Sequence, residues 1–314
     1  MDILNLKQAT EVGRVSSGLV LINEEPSVRQ GKRNPYMMGE FVTPEGSCQF
    51  KIWEERIYEP VLEHGRGIYD VEVEGSEYNG IYLTVRRIRP NDDISVQKAD
   101  FLPAIPQARL TEVWQRARQK MAAVGVTDQA WTILNEILAD PSLEGRYVIE
   151  AAAIFYHDNK VGGLAHHTGK MLNILAALLE NIESLQASAD LLFLGIALHD
   201  VGKIFEYRDL SRGEYWYANH RVRGIELLAQ YKDRIIAAYD EAFYRQLQSI
   251  IAGHHGDYGD RPTTVAAGIV HYIDTMESQI TGLIENQSQT ADGRFRFGDW
   301  GWLQGIPLKE EEPE

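Results

Sequence analysis

The feature that most constrains this chain is a change of period. From about Glu11 to Pro90 apolar residues recur at every second position, as in YDVEVEG and IYLTVRRIR, with glycine-bearing breaks such as PEGS and SEYNG between the runs. From Ala108 to about residue 286 they recur at every third or fourth position, as in LTEVWQRARQKM and HTGKMLNILAALLENI. Between the two lies PNDDISVQKADFLPAIPQ, which has three prolines and neither period. The pattern predicts an α+β chain of separate parts. Residues 1–90 read as a five-stranded OB-type β-barrel with strands near 11–22, 35–43, 47–53, 67–74 and 80–89 and a helix, EERIYEPVLEH, after the third. Residues 91–107 read as a linker, 108–290 as an all-α helical bundle and 291–314 as an extended tail that ends in acids.

Length and composition fit that division. A chain of 314 residues has room for two cores. Its longest apolar run, Leu191 to Leu198, is far short of the ~20 residues of a membrane-spanning helix, and MDILNLKQAT carries no basic stretch followed by an apolar one. Cys48 is the one cysteine, so an internal disulfide and a Cys₄ metal site are excluded. The expectation is a soluble, cytoplasmic protein with no membrane partner; an oligomer is left open. Most of the net charge of −15 lies beyond residue 90. Such a body disfavours nonspecific duplex binding, which runs on phosphate neutralisation. It suits metal ions, and it permits nucleic acid in a local basic groove.

Of the nine histidines, His64 and His157 stand apart, and seven fall in the helical part. His166 and His167 open a helix after Gly162-Gly163. His199-Asp200 close the apolar helix LLFLGIAL, just before Val201-Gly202-Lys203. His220 starts a helix, His254-His255 end one, and Asp274 lies one turn after His271. Imidazole and carboxylate are ligands for divalent metals, and helix ends can aim them into one pocket. Burying so many polar groups without a shared partner costs about 1–3 kcal/mol each. The cluster reads as a metal site, with His271 beside it as a supporting donor or core residue.

The order H…HD…H…HH…D resembles the HD-domain superfamily of metal-dependent phosphohydrolases, GGLAHHT matching its opening GGLxxHT and HDVGK its namesake HDxGK. This resemblance covers roughly residues 146–285. With PYMMGEFVTPEGSCQFKIWEE and EYNGIYLTVRRIRP in the first part, the whole chain is similar to the YhaM-type bacterial 3′–5′ exoribonucleases, which join an OB-fold domain to an HD domain. The resemblance implies one metal on His167, His199, Asp200 and Asp274, and a second on His220, His254 and His255, with Asp200 as the bridge and a catalytic residue. It matches His167 and not His166 to the first ligand. Two divalent ions are implied, manganese first, with iron, cobalt or nickel as alternatives, and with them hydrolysis by an activated water. Lys203 is the second catalytic candidate, its ammonium on the phosphate or on an acidic neighbour. His157, in AAAIFYHDNKVGG, stands where similar proteins carry a His-rich run.

In the barrel, Arg29, Lys32 and Arg33 fall in the loop VRQGKRN, and Lys51 and Trp53 alternate with Cys48, Phe50 and Ile52, so all five are candidates for nucleic-acid binding. Arg86, Arg87 and Arg89 follow the same logic; packing of Trp53 on the following helix is the competing reading. Three functions fit the sequence: a 3′–5′ exonuclease on single-stranded RNA or DNA, a phosphohydrolase or phosphodiesterase on a small nucleotide, and a non-catalytic protein with a structural metal. The complete ligand set argues against the third, and the barrel favours the first.

Overall fold

The computed structural model describes residues 2–31, 34–78, 80–93, 95–153, 159–256, 260–288 and 293–308, with the side chain of residue 288 left aside. Lys32, Arg33 and His157, singled out above, lie outside them.

A single turn, α1 (Leu6–Ala9), precedes β1 (Val15–Ile22), β2 (Ser27–Gln30), β3 (Pro35–Thr43), β4 (Gly46–Ile52), α2 (Glu55–His64), β5 (Gly67–Glu77) and β6 (Ile81–Pro90). The strands form one six-stranded sheet in the order β1-β5-β6-β4-β3-β2. β4 and β6 run parallel at Phe50 and Leu83, and β1 meets β3 at Leu21 and Val42. Without β2 the strands follow the OB order, as a strongly curled sheet that returns on itself at one residue pair. Its inner residues alternate as expected: Met37, Phe41, Phe50, Ile52, Tyr69, Val71 and Leu83 are fully buried, and the rings of Phe41 and Phe50 stack at 4.1 Å.

The sixth strand is a correction. Arg29 lies in β2, opposite Tyr36, and not in a loop. All four β2 residues are exposed, so burial imposes no alternation there. What makes the strand is pairing to the edge of β3. The first strand is also shorter than the sequence suggests, because residues 11–14 turn through Gly13 before Val15.

The linker is docked: a turn at Lys98–Phe101 buries Phe101 against Leu19, Leu21 and Val42. Helices α3 (Gln107–Ala123), α4 (Asp128–Leu138), α5 (Gly163–Asn181) and α6 (Ala189–Leu198) follow, then α7 (Lys203–Glu206), a two-stranded hairpin β7 (Tyr207–Arg208) and β8 (Ser211–Arg212), and α8 (His220–Gln230), α9 (Lys232–Ala238), α10 (Glu241–Gly253) and α11 (Val265–Ser288). α6 is apolar all round, as a central buried helix must be, and packs against α5, α10 and α11. Its C-terminal end is where the site forms. The last described elements are β9 (Arg294–Phe297) and β10 (Gly301–Gln304), which pair, with β9 on α11, so the described part of the tail is a hairpin. No helix among the described residues is long and apolar enough to cross a membrane.

Candidate metal centre

The central helix delivers the doublet. His199 caps α6, and Asp200 follows as the chain turns into α7. α5 brings His167 from its first turns, α8 brings His220 as its first residue, the end of α10 brings His254 and His255, and α11 brings Asp274. Gly202 is required by this packing: a Cβ there would run into the His220 carbonyl, so glycine alone lets α8 set its first residue against the doublet.

Asp200 is the hub. Its Oδ1 lies 3.3 Å from His254 Nε2 and 3.6 Å from His220 Nε2, and its Oδ2 lies 3.2 Å from His199 Nε2 and 2.6 Å from Lys203 Nζ. His167 Nε2 is 3.2 Å from Asp274 Oδ1, and the Nε2 atoms of His220 and His255 are 2.8 Å apart. Three sets of side chains have ligand atoms within 4.8 Å of one another: His167, His199 and Asp200; Asp200, His220, His254 and His255; and His199, His254 and Asp274. All seven candidate ligands are therefore gathered, and Asp200 belongs to both the first set and the second.

The ring nitrogens are oriented from behind. His199 Nδ1 donates to the Ile196 carbonyl at 2.7 Å and His254 Nδ1 to that of Ile251 at 3.0 Å. Glu206 Oε2 accepts from His220 Nδ1 at 2.7 Å, and Glu277 Oε2 is bonded to His167 Nδ1. With each Nδ1 so engaged, the four Nε2 atoms face the common space, the arrangement that prepares imidazole for a metal once each ring is neutral. His271 supports from one layer out, donating to the His254 carbonyl at 2.7 Å. His166 is buried on α5 and belongs to none of the three sets.

A divalent cation fits this donor set. His199 Nε2, His254 Nε2 and Asp200 Oδ1 are buried with no hydrogen-bond partner. Each such atom costs about 1–3 kcal/mol if left so, and divalent cations held among these side chains would satisfy them. Charge is also poised. Burial works against the Asp200 carboxylate, but Lys203 and His199 hold its pKa well below the usual range. Burial likewise opposes a charge on His167, but hydrogen bonds to Asp274 and Glu277 outweigh it and raise its pKa to about 10. Burial lowers His254, and burial with the neighbouring His254 takes His255 down to about 3.

Glu206 and Glu277 were not read from the sequence. The available signal was a carboxylate one helical turn from a candidate: Glu277 follows Asp274 by three residues, and Glu206 follows Lys203 by three. Lys203 is settled on the acidic neighbour, its Nζ between Asp200 Oδ2 and the Ala152 carbonyl at 2.6 Å each.

The barrel candidates are not part of this cluster. The ring of half-exposed Trp53 lies tilted against that of Tyr36 with centroids 4.9 Å apart, so Trp53 rests on β3. Arg29 pairs across from Tyr36, and Lys51 lies with its Nζ 3.6 Å from the Tyr82 ring centroid. These side chains make a basic and aromatic strip on the outer face. Arg86 and Arg87 instead face Glu74 at 2.6 Å and Asp70 at 3.9 Å.

Residues 164–278 match the HD domain family model. All seven candidate ligands fall inside that match. Beyond the domain, the chain is similar to the 3′-5′ exoribonuclease YhaM of Bacillus subtilis, 24% identical over 297 residues that cover 91% of each chain. The protein of the same name from Bacillus licheniformis is 25% identical over 295 residues, again 91% of each. Among solved structures, the mitochondrial single-stranded DNA-binding protein Rim1 of S. cerevisiae covers 25% of this chain and 93% of its own at a TM-score of 0.23 and 14% identity, too slight a likeness to argue from.

Proposed function

We propose that this protein is a 3′–5′ exonuclease that hydrolyses phosphodiester bonds of single-stranded RNA, and of DNA where it is offered. The observation that carries the reading is the convergence of His167, His199, Asp200, His220, His254, His255 and Asp274 around one buried carboxylate with orphaned donors. Similarity over nine tenths of the chain to proteins named as 3′-5′ exoribonucleases supports the substrate class.

In this reading His167, His199, Asp200 and Asp274 hold one divalent ion, and His220, His254 and His255 hold a second, with Asp200 shared; manganese is the first choice. Such ions supply a water activated for attack and charge stabilisation at the phosphoryl and leaving oxygens. The protein's own part is orientation. Glu206, Glu277 and the Ile196 and Ile251 carbonyls fix each ring with Nε2 inward. Lys203 neutralises Asp200 Oδ2 and holds the carboxylate in one rotation, so Oδ1 faces the His220 and His254 side. Residues 1–90 act as the nucleic-acid-binding domain, where Arg29, Lys51 and Trp53 receive the strand and bases stack on Trp53 and Tyr36. A cytoplasmic setting suits this activity.

A time course on a 5′-labelled single-stranded RNA of about 30 nucleotides tests the reading, run with manganese, with chelator and with Asp200→Ala. Metal-dependent shortening from the 3′ end, absent in the variant, is the expected result. Intact RNA in every lane, with turnover of mononucleotides or cyclic dinucleotides by the same preparation, would replace it with the small-nucleotide phosphohydrolase.

A further inference from the structure

The segment between α7 and α8 carries an aromatic surface that the chemistry above leaves unused. Its hairpin turns through Asp209 and Leu210, both left-handed at φ 51° and 57°. A β-branched or bulky residue rarely sits there, and Leu210 needs support. The support comes from the barrel. Asn23, buried just beyond β1, donates from Nδ2 to the carbonyls of Asp209 and Leu210 at 3.0 and 3.1 Å, and Glu24 accepts from the Arg212 backbone N–H at 2.9 Å.

Past the hairpin, Tyr215, Trp216 and Tyr217 are 56%, 45% and 72% exposed. Their rings are set edge to face, with Tyr217 centroids 6.3 Å from Tyr215 and 6.5 Å from Trp216, and the Arg212 guanidinium lies 4.4 Å from the Trp216 ring centroid. Three consecutive large aromatics left in water form a patch that calls for a partner. The two feet of this loop are fixed at the metal cluster. Gly213 N–H donates to the Glu206 carbonyl at 2.9 Å, and the Glu206 carboxylate holds His220, where α8 begins. This side of the cluster is partly open: the Glu206 side chain keeps 19% of its exposure and His255 is half-buried, against 1% for His167.

We propose that Tyr215, Trp216 and Tyr217 form a stacking platform for the unpaired bases at the 3′ end of a single strand, holding its last nucleotides beside His220. The assignment rests on the nuclease reading and adds to it the group that grips the end being cut. Flat π surfaces with an arginine over one ring accept any nucleobase face, and the guanidinium offers its charge to the adjoining phosphates. The loop touches both the barrel, through Asn23 and Glu24, and the cluster, through Glu206 and His220.

The test is binding of 5′-fluorescent 12-nucleotide single-stranded RNA, with phosphorothioate linkages at the 3′ end and manganese present. One strand carries all its bases, and the other is abasic at its last three positions. The parent is expected to bind the complete strand roughly tenfold more tightly, the effect of about one stacked base. Trp216→Ala, and the double variant Tyr215→Ala with Tyr217→Ala, lose that preference, while Trp216→Phe keeps it. A parent indifferent to the missing bases, or a Trp216→Ala variant that still prefers them, overturns the platform. If the parent in that case still shortens plain RNA from the 3′ end, the nuclease reading stands without it; if it neither binds nor shortens RNA, both fall. All three side chains are exposed, so unchanged thermal melting of the variants separates lost stacking from lost folding.

Discussion

Lys203 Nζ lies 2.6 Å from Asp200 Oδ2, and the pair is buried beneath the histidine cluster. The lysine thus performs in the metal-free protein part of the neutralisation that a cation performs in the loaded one. Removing one partner of a buried ion pair costs about 3–5 kcal/mol, because the other charge is left alone. Lys203→Met is therefore expected to melt well below the parent in chelator and to recover much of the difference in saturating manganese. Equal losses in both conditions would show that Lys203 supports the fold without regard to the site.

Glu277 holds His167 from behind and is itself held by Lys170, at 2.5 Å from its Oε1. Burial opposes its charge, but the hydrogen bond and the charge of His167, with Lys170, bring its pKa down to about 2. Carboxylates that orient a ligating histidine typically account for 10–100-fold in metal affinity. Glu277→Gln should weaken manganese binding by about that factor, with metal content at saturation retained; unaltered affinity in a metal titration would remove Glu277 from the design.

Metal uptake should release protons near neutrality. The pKa of His167 is raised to about 10, so the ring is charged at pH 7 in the metal-free protein, whereas His255, lowered to about 3, is already neutral. A ligating imidazole must be neutral. Affinity therefore rises with pH through neutrality, and falls as protons compete for His167. Calorimetry at pH 7 in two buffers of different ionisation enthalpy should report about one proton released as the His167 position fills. Heats independent of the buffer would contradict this.

How much of this was legible in the sequence differs between the two halves. The metal candidates were readable because their residue types are scarce and their setting is distinctive: His199-Asp200 follow the apolar run Leu191 to Leu198, which is buried in the bundle. Glu206 and Glu277 were hidden because a carboxylate on an amphipathic helix looks like solvent-facing charge until a partner is placed behind it. β2 was hidden because all of it is exposed, and exposed strands carry no alternation. The docking of Asn23 on the carbonyls of Asp209 and Leu210 joins residues nearly two hundred positions apart, a relation that no local pattern encodes.

The barrel strip makes a separate prediction. Tyr36 and Trp53 are in ring contact on the outer face, with Lys51 nearby on the same strand as Ile52. Base stacking is worth about 1–3 kcal/mol where measured by alanine substitution. Trp53→Ala should raise the KM for a strand of about 30 nucleotides severalfold or more, and affect a strand of about four nucleotides much less, since a short strand does not span barrel and cluster. Equal effects on the two lengths would argue against strand delivery by the barrel.

The central claim is that these seven side chains form a two-ion centre bridged by Asp200. Anomalous diffraction from crystals grown with manganese, collected on both sides of the manganese edge, tests it most directly. The account predicts two peaks about 3.5–4 Å apart, one among His167, His199, Asp200 and Asp274 and one among His220, His254, His255 and the same Asp200. A map with no peak among these residues at saturating manganese would contradict it.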